Sequence, residues 1–226
     1  DYALLIPSVP VKLTGPDTDL YIDLPKGVTT AVEKVVSLGF ADPAKLGVMG
    51  HSFGGYSVYT LVTYTHRFKA AVAIAGLANL VSDYGVFDAP SRYDEYPHEG
   101  LYRASLLESG LALEMGGPPW RNLWRYLRNS PYYFADRIQT PLMMVQGDMD
   151  YVPIQQSEEL FTALYRLGKT AKFVRYWGEG HVLSSPANIR DLWQRVFGWF
   201  DEHLKGNKPP YAPGPVMGLP RPTSGQ

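Results

Sequence analysis

The order of apolar and polar positions along the chain predicts strands alternating with helices. Residues 1–7 (DYALLIP) form an apolar run that reads as a buried strand. Over residues 25–38 the apolar Val28, Ala31, Val32, Val35 and Val36 recur at helical spacing and stop at Gly39, which predicts a helix. Ala41-Asp42-Pro43 supplies a turn, and Leu46, Gly47, Val48 and Met49 make the next short strand. A helix follows at 54–65 and a strand at 70–75. This alternation is the pattern of a parallel sheet with helices on its faces.

The pattern breaks between residues 76 and 138. Tyr84, Phe87, Tyr93, Tyr96, Tyr102, Trp120, Trp124, Tyr126, Tyr132 and Tyr133 lie here without a sustained period, beside the turn Gly116-Gly117-Pro118-Pro119. A segment this long is not a plain loop, so it is expected to form short helices that cap the sheet. Alternation resumes with a strand at 141–146, a helix at 154–167 and a strand at 171–177. Ser185-Pro186 predicts the capped start of a last helix, whose Ile189, Leu192, Trp193, Val196, Phe197 and Phe200 share one face. Residues 206–226 are Pro-rich and polar and read as an extended tail. The organisation expected is therefore one domain over 1–205, with an insertion at about 76–138, and a tail.

Candidate chemistry sits where strands end. Gly50-His51-Ser52-Phe53-Gly54 is a G-x-S-x-G placed between a strand and a helix, the nucleophile elbow that holds a serine in a strained turn. Ser52 would project from the helix N-terminus, where the Phe53 N–H can receive an oxyanion. In a parallel sheet, functional residues gather in loops at the carboxyl ends of strands. Two later loops carry an acid and a base: Asp148 or Asp150 in GDMDYVP, and His181 in GEGH. Of the five histidines, His181 alone directly follows a late strand, in Gly178-Glu179-Gly180-His181, where the glycines let its loop swing toward Ser52. For the acid, Asp150 is favoured and Asp148 is kept as the alternative, a turn residue bonded to local backbone. The chain order Ser, Asp, His is that of an α/β-hydrolase.

Composition narrows the choice further. The chain has 226 residues, 45% apolar and 19% charged, with a net charge of -1, so charge gives no case for nucleic acid or an anionic membrane as partner. No apolar stretch approaches bilayer length. The absence of cysteine removes disulfides, thiolate metal sites and cysteine nucleophiles without assigning a compartment. No histidine and carboxylate cluster has ligand spacing, so neither metal nor cofactor is expected. Sixteen Tyr and five Trp suit an aromatic substrate pocket, for which Tyr56, His51 and Trp120 are the candidates.

With these motifs in hand, residues 1 to about 205 resemble the catalytic domain of the prolyl oligopeptidase family of serine peptidases, nearest its acylaminoacyl-peptidase and dipeptidyl-peptidase-like members. GHSFGGY resembles its nucleophile motif, QGDMDYVPIQQSEELFTALYRLGK its acid segment and YWGEGH its histidine segment; GGPPW and the NSP at Asn129-Ser130-Pro131 are similar to features of its insertion. The resemblance implies an α/β-hydrolase fold with Ser52 as nucleophile, Asp150 as acid, His181 as general base and Phe53 N–H as one oxyanion donor. One residue, Tyr151, separates the acid from Val152-Pro153 where many members have two or more. The resemblance also implies a preceding β-propeller and further N-terminal strands. The chain is therefore expected to be a C-terminal fragment with a gap between the 1–7 strand and the elbow strand, where the sheet rearranges or another chain, a second copy included, fills in. The expected function is acyl transfer to water from a short peptide or a small ester, with esterase activity in the isolated domain. The alternatives are a carboxylesterase of aryl or feruloyl type and a non-catalytic binding module of the same fold.

Overall fold

The computed structural model describes residues 2–9, 19–86, 102–109 and 113–207. Phe87, Tyr93, Tyr96 and His98 of the aromatic segment, Asp1, and residues 208–226 of the tail lie outside the described residues.

Helix α1 (Leu20–Ser37) leads to strand β1 (Gly47–His51), helix α2 (Phe53–Tyr64) and strand β2 (Ala70–Ile74). The insertion then contributes α3 (Leu80–Tyr84), α4 (Tyr102–Ser109), α5 (Pro119–Arg128) and a 3-10 helix (Pro131–Arg137). Strand β3 (Leu142–Gly147), helix α6 (Gln155–Arg166), strand β4 (Ala171–Tyr176) and helix α7 (Pro186–Lys205) complete the order. The strands form a four-stranded sheet, β1-β2-β3-β4, with every pair parallel.

Every residue of β2 and β3 is buried, which is why their sequences, AAVAI and LMMVQG, are nearly unbroken apolar runs. Alternate side chains serve opposite faces. Val72, Met143, Val145 and Val174 pack with Leu192, Val196 and Phe200 of α7. Ala71, Ala73, Leu142 and Met144 pack on the other face with Val58 and Val62 of α2 and Leu160 and Leu164 of α6. Full burial of such side chains is worth about 1.5–3 kcal/mol each. Helix α1 lies over α2 through Val32 and Leu61, and the insertion closes around Tyr56, Leu80, Met115 and Tyr126.

Three local expectations are corrected. The apolar run at 2–7 does not join the sheet: Leu4 and Ile6 are 78% and 82% exposed, and Tyr2 rests on Phe200 while its hydroxyl donates to Asp201 at 2.6 Å. Apolarity makes a strand only where a neighbouring edge takes up its N–H and C=O groups, and this run has no such ladder. Among the described strands β1 pairs only with β2, so the elbow strand lies at an edge. Helix α1 begins at Leu20, before the predicted Pro25 start, because Leu20, Tyr21 and Leu24 are all buried and carry Pro25 inside the helix. Ser185 does precede α7, but its side chain makes no cap bond there.

Candidate active site

The parallel strands bring the loops after β1, β3 and β4 to one end of the sheet, and each loop contributes one polar side chain to a connected chain of hydrogen bonds. At the end of β1, Ser52 has φ 60 and ψ -120, a conformation whose cost is about 1–3 kcal/mol for a residue with a Cβ. The glycines around it permit the turn: a Cβ on Gly50 would stand 2.3 Å from the Gly54 carbonyl oxygen, and one on Gly55 would stand 2.7 Å from that of Ile74. Helix α2 starts at Phe53, whose N–H therefore has no acceptor within the helix.

The Ser52 hydroxyl lies 2.8 Å from His181 Nε2, and His181 Nδ1 lies 2.8 Å from Asp150 Oδ1. With the Nδ1 proton donated to Asp150, Nε2 presents its lone pair to the serine hydroxyl. Asp150 is 1% exposed, and its carboxylate is satisfied from other directions as well. Oδ1 accepts the Val152 N–H at 2.7 Å and Oδ2 accepts from Gln146 Nε2 at 2.7 Å. Gln146 in turn donates to the Val152 carbonyl and accepts from the Ser157 hydroxyl. A buried carboxylate needs such partners, since desolvation without them is costly. Asp148 points elsewhere: its Oδ1 accepts the Gly178 N–H at 2.6 Å, joining the acid loop to the histidine loop.

The imidazole of His181 is flanked by two rings. Tyr151 lies 4.2 Å from it and His51 lies 4.6 Å from it, centroid to centroid. The Nε2 of His51 lies 2.7 Å from the His181 carbonyl, to which it can donate. Beneath the loop, Glu179 is buried and accepts from Ser184 N at 2.7 Å, Ser185 N at 3.1 Å and Asn188 Nδ2 at 2.6 Å. The Ser184 backbone bond is the main reason its carboxyl sits below the usual carboxylate range. Thus a carboxylate two residues before His181 secures the start of α7, where Ser185 makes no side-chain cap.

The candidate pocket residues separate. His51 is at the site. Tyr56 is fully buried, stacks on Phe53 at 5.8 Å and donates its hydroxyl to the Asn129 carbonyl at 3.0 Å, and burial pushes that hydroxyl's pKa up. It is a core residue and not part of a pocket wall, because the helix turns that position inward. Trp120 is 76% exposed and meets Tyr84 edge-on at 5.5 Å. Burial, then a hydrogen bond to Glu108, pushes the Tyr84 hydroxyl up to about 12. The sequence marks Tyr151 only as the residue between Asp150 and Val152-Pro153, and gives no role to Gln146 or Glu179. Gln146 had a signal, being the one polar residue inside an otherwise apolar strand. Among the described residues no group of three or more His, Asp or Glu could hold a metal ion, and no helix is long and apolar enough to cross a membrane.

The sequence model of the prolyl oligopeptidase family matches residues 25–107 and 105–207. Uncharacterized peptidase YuxL of Bacillus subtilis (strain 168) is 32% identical over 188 residues, covering 81% of this chain and 26% of that protein. Dipeptidyl-peptidase 5 of Porphyromonas endodontalis is 31% identical over 183 residues, covering 78% of this chain and 24% of its own. The chain thus spans about a quarter of the length of these curated relatives. Among solved structures, a puromycin-hydrolyzing peptidase of Mycobacterium tuberculosis superposes with a TM-score of 0.70 at 24% identity, over 82% of this chain and 26% of that one. The acylaminoacyl peptidase of Pyrococcus horikoshii also gives 0.70, at 22% identity, over 87% and 30%. These likenesses establish the α/β-hydrolase type of fold.

Proposed function

This chain belongs to the prolyl oligopeptidase family, and on that premise we propose that it is a serine hydrolase that transfers acyl groups to water through Ser52. The observation that carries the reading is the unbroken run from Ser52 Oγ through His181 to Asp150, with both contacts at 2.8 Å.

His181 Nε2 takes the Ser52 proton as Oγ attacks the substrate carbonyl carbon, and the carbonyl electrons move onto oxygen, to which the Phe53 N–H donates a hydrogen bond. The tetrahedral species collapses, the bond to the leaving group breaks, and the proton on His181 goes to that group. Water then attacks the acyl-serine, gives its proton to His181, and the acid departs as the proton returns to Ser52. Asp150 holds the imidazole with Nδ1 protonated and stabilises the imidazolium; Gln146 and the Val152 N–H keep that carboxylate in place.

An alkoxide or phenolate leaves readily, whereas an amine must be protonated as it departs, so esters are the less demanding substrates and test the elbow alone, while amides test the whole apparatus. The names of the relatives, dipeptidyl peptidase and acylamino-acid-releasing enzyme among them, make aminoacyl, acylaminoacyl and dipeptidyl amides the peptide substrates to compare. Phe53 and Tyr84 pack against the insertion cluster and Trp120 meets Tyr84 edge-on, an aromatic surface that would suit an apolar acyl group.

The test is hydrolysis of short-chain p-nitrophenyl esters beside these amides, by this chain and by Ser52→Ala. Ester turnover that disappears with Ser52 is expected, with amide turnover slower. Turnover that survives Ser52→Ala, or a folded chain that neither turns over ester nor reacts with a fluorophosphonate, would overturn the reading.

A further inference from the structure

We propose that Arg103 is a positioning residue for the histidine of the site, acting through Tyr151; the proposal rests on the reading of His181 as general base given above. Arg103 and Asp83 form an ion pair with side chains 5% and 0% exposed, inside the insertion. The guanidinium grips Asp83 as a fork, Nε on Oδ1 at 3.0 Å and Nη2 on both carboxylate oxygens. Its remaining nitrogen, Nη1, donates to the Tyr151 carbonyl at 2.8 Å. A buried ion pair contributes little net stability compared with apolar residues of the same volume, so its use lies in the geometry it enforces. Here the geometry enforced is that of the one residue between Asp150 and Val152.

Both neighbours of Tyr151 are already fixed. The Val152 N–H is bonded to Asp150, and the Val152 carbonyl accepts from Gln146. Between them, the bond from Arg103 to the Tyr151 carbonyl ties the acid loop to α3 and α4. The Tyr151 ring, 44% exposed, is thereby laid against the His181 imidazole at 4.2 Å. When His181 becomes an imidazolium during acyl transfer, the electron-rich face of a held aromatic ring beside it favours that charge. A lysine at 103 could satisfy Asp83 yet could not supply the planar fork and the third contact together.

The experiment compares the full chain with Arg103→Lys, Tyr151→Ala, Tyr151→Phe and the double variant Arg103→Lys/Tyr151→Ala. Folding is checked by thermal melting, ester turnover gives kcat and KM, and proton NMR follows the downfield resonance of the His181 Nδ1 proton held by Asp150. Arg103→Lys and Tyr151→Ala should each lower kcat about three- to ten-fold with KM little changed, and the double variant should be no worse than the poorer single one. Tyr151→Phe should restore most of the loss. The NMR resonance should shift or broaden in both single variants, and it reports whether or not the chain turns over any ester. Additive losses, or a resonance unmoved in folded Tyr151→Ala, would overturn the proposal. If Arg103→Lys does not fold, the Tyr151 variants decide by the same two readouts.

Discussion

The carbonyl of Glu179 accepts the Met149 N–H at 3.0 Å, so the loop that carries the histidine and the loop that carries the acid are bonded to each other through backbone alone. Two further bonds run beside it, from Asp148 N to the Tyr176 carbonyl at 3.2 Å and from Gly178 N to Asp148 Oδ1 at 2.6 Å. The 2.8 Å contact between His181 and Asp150 is therefore set by loop docking before any substrate arrives.

That docking depends on the bareness of Gly147. A Cβ there would lie 2.2 Å from the Glu179 carbonyl oxygen and 2.7 Å from that of Gly180, both backbone atoms that cannot step aside alone. Gly147→Ala should cost about 1–3 kcal/mol of stability by overpacking, and should lower ester kcat through separation of Asp150 from His181. Paired thermal melts and kinetics check this; a variant that melts and turns over like the parent would show that the loops are not in such close contact.

Glu179 gives a stability signature in pH. Its folded pKa lies below the ordinary value of 4.5, chiefly because Ser184 N–H bonds its charged form. A depressed carboxylate stabilises the fold above its unfolded pKa, and that contribution is lost as pH falls through the folded value. Glu179→Gln lacks the contribution at every pH. The gap in urea midpoint between the two proteins should be constant near neutral pH and should close on acidification below about 4.5. A gap that widens toward acid would reverse the sign and exclude this role.

Much of this architecture was legible in the chain. The short apolar runs AAVAI and LMMV, alternating with helical segments, read as strands of a parallel sheet, the G-x-S-x-G marks its own turn, and the two glycines just before His181 mark a loop free to fold over. What escaped was long-range. Whether residues 2–7 pair depends on an edge that local apolarity does not describe, and Tyr56 follows the elbow closely yet points into the core because of where α2 turns. Asp83 and Arg103 meet across the insertion, where no period relates them. A buried ion pair between two short helices is invisible until the chain is folded.

Gln146 shows how far the support of the acid extends. Its amide nitrogen serves both Asp150 Oδ2 and the Val152 carbonyl, and its oxygen accepts from Ser157. Gln146→Leu keeps the volume and strips three polar groups of their partner, a change that costs about 1–3 kcal/mol where a buried acceptor is left unpaired. Ester kcat should fall about ten-fold through the freed carboxylate, with KM nearly constant. Stopped kinetics on a p-nitrophenyl ester, with a melt to confirm folding, test this; an unchanged kcat would mean that the Val152 N–H alone holds Asp150.

The two aspartates of GDMDYVP can be separated by one substitution applied to each. In Asp150→Asn the amide nitrogen competes for the position facing His181 Nδ1, and the ring must reverse its tautomer to bond it, which leaves Nε2 protonated and unable to take the Ser52 proton. A loss of about 10,000-fold in kcat is the expected scale for that reversal. In Asp148→Asn the side-chain oxygen still accepts the Gly178 N–H, so the two loops stay joined and kcat should stay within about ten-fold of the parent, the scale of one weakened hydrogen bond. Both variants are isosteric, and melting curves establish that each is folded before rates are compared. Equal losses at the two positions would mean that the charge on Asp148, not merely its acceptor oxygen, supports the imidazolium across the loop; a larger loss at 148 would transfer the role of acid to it.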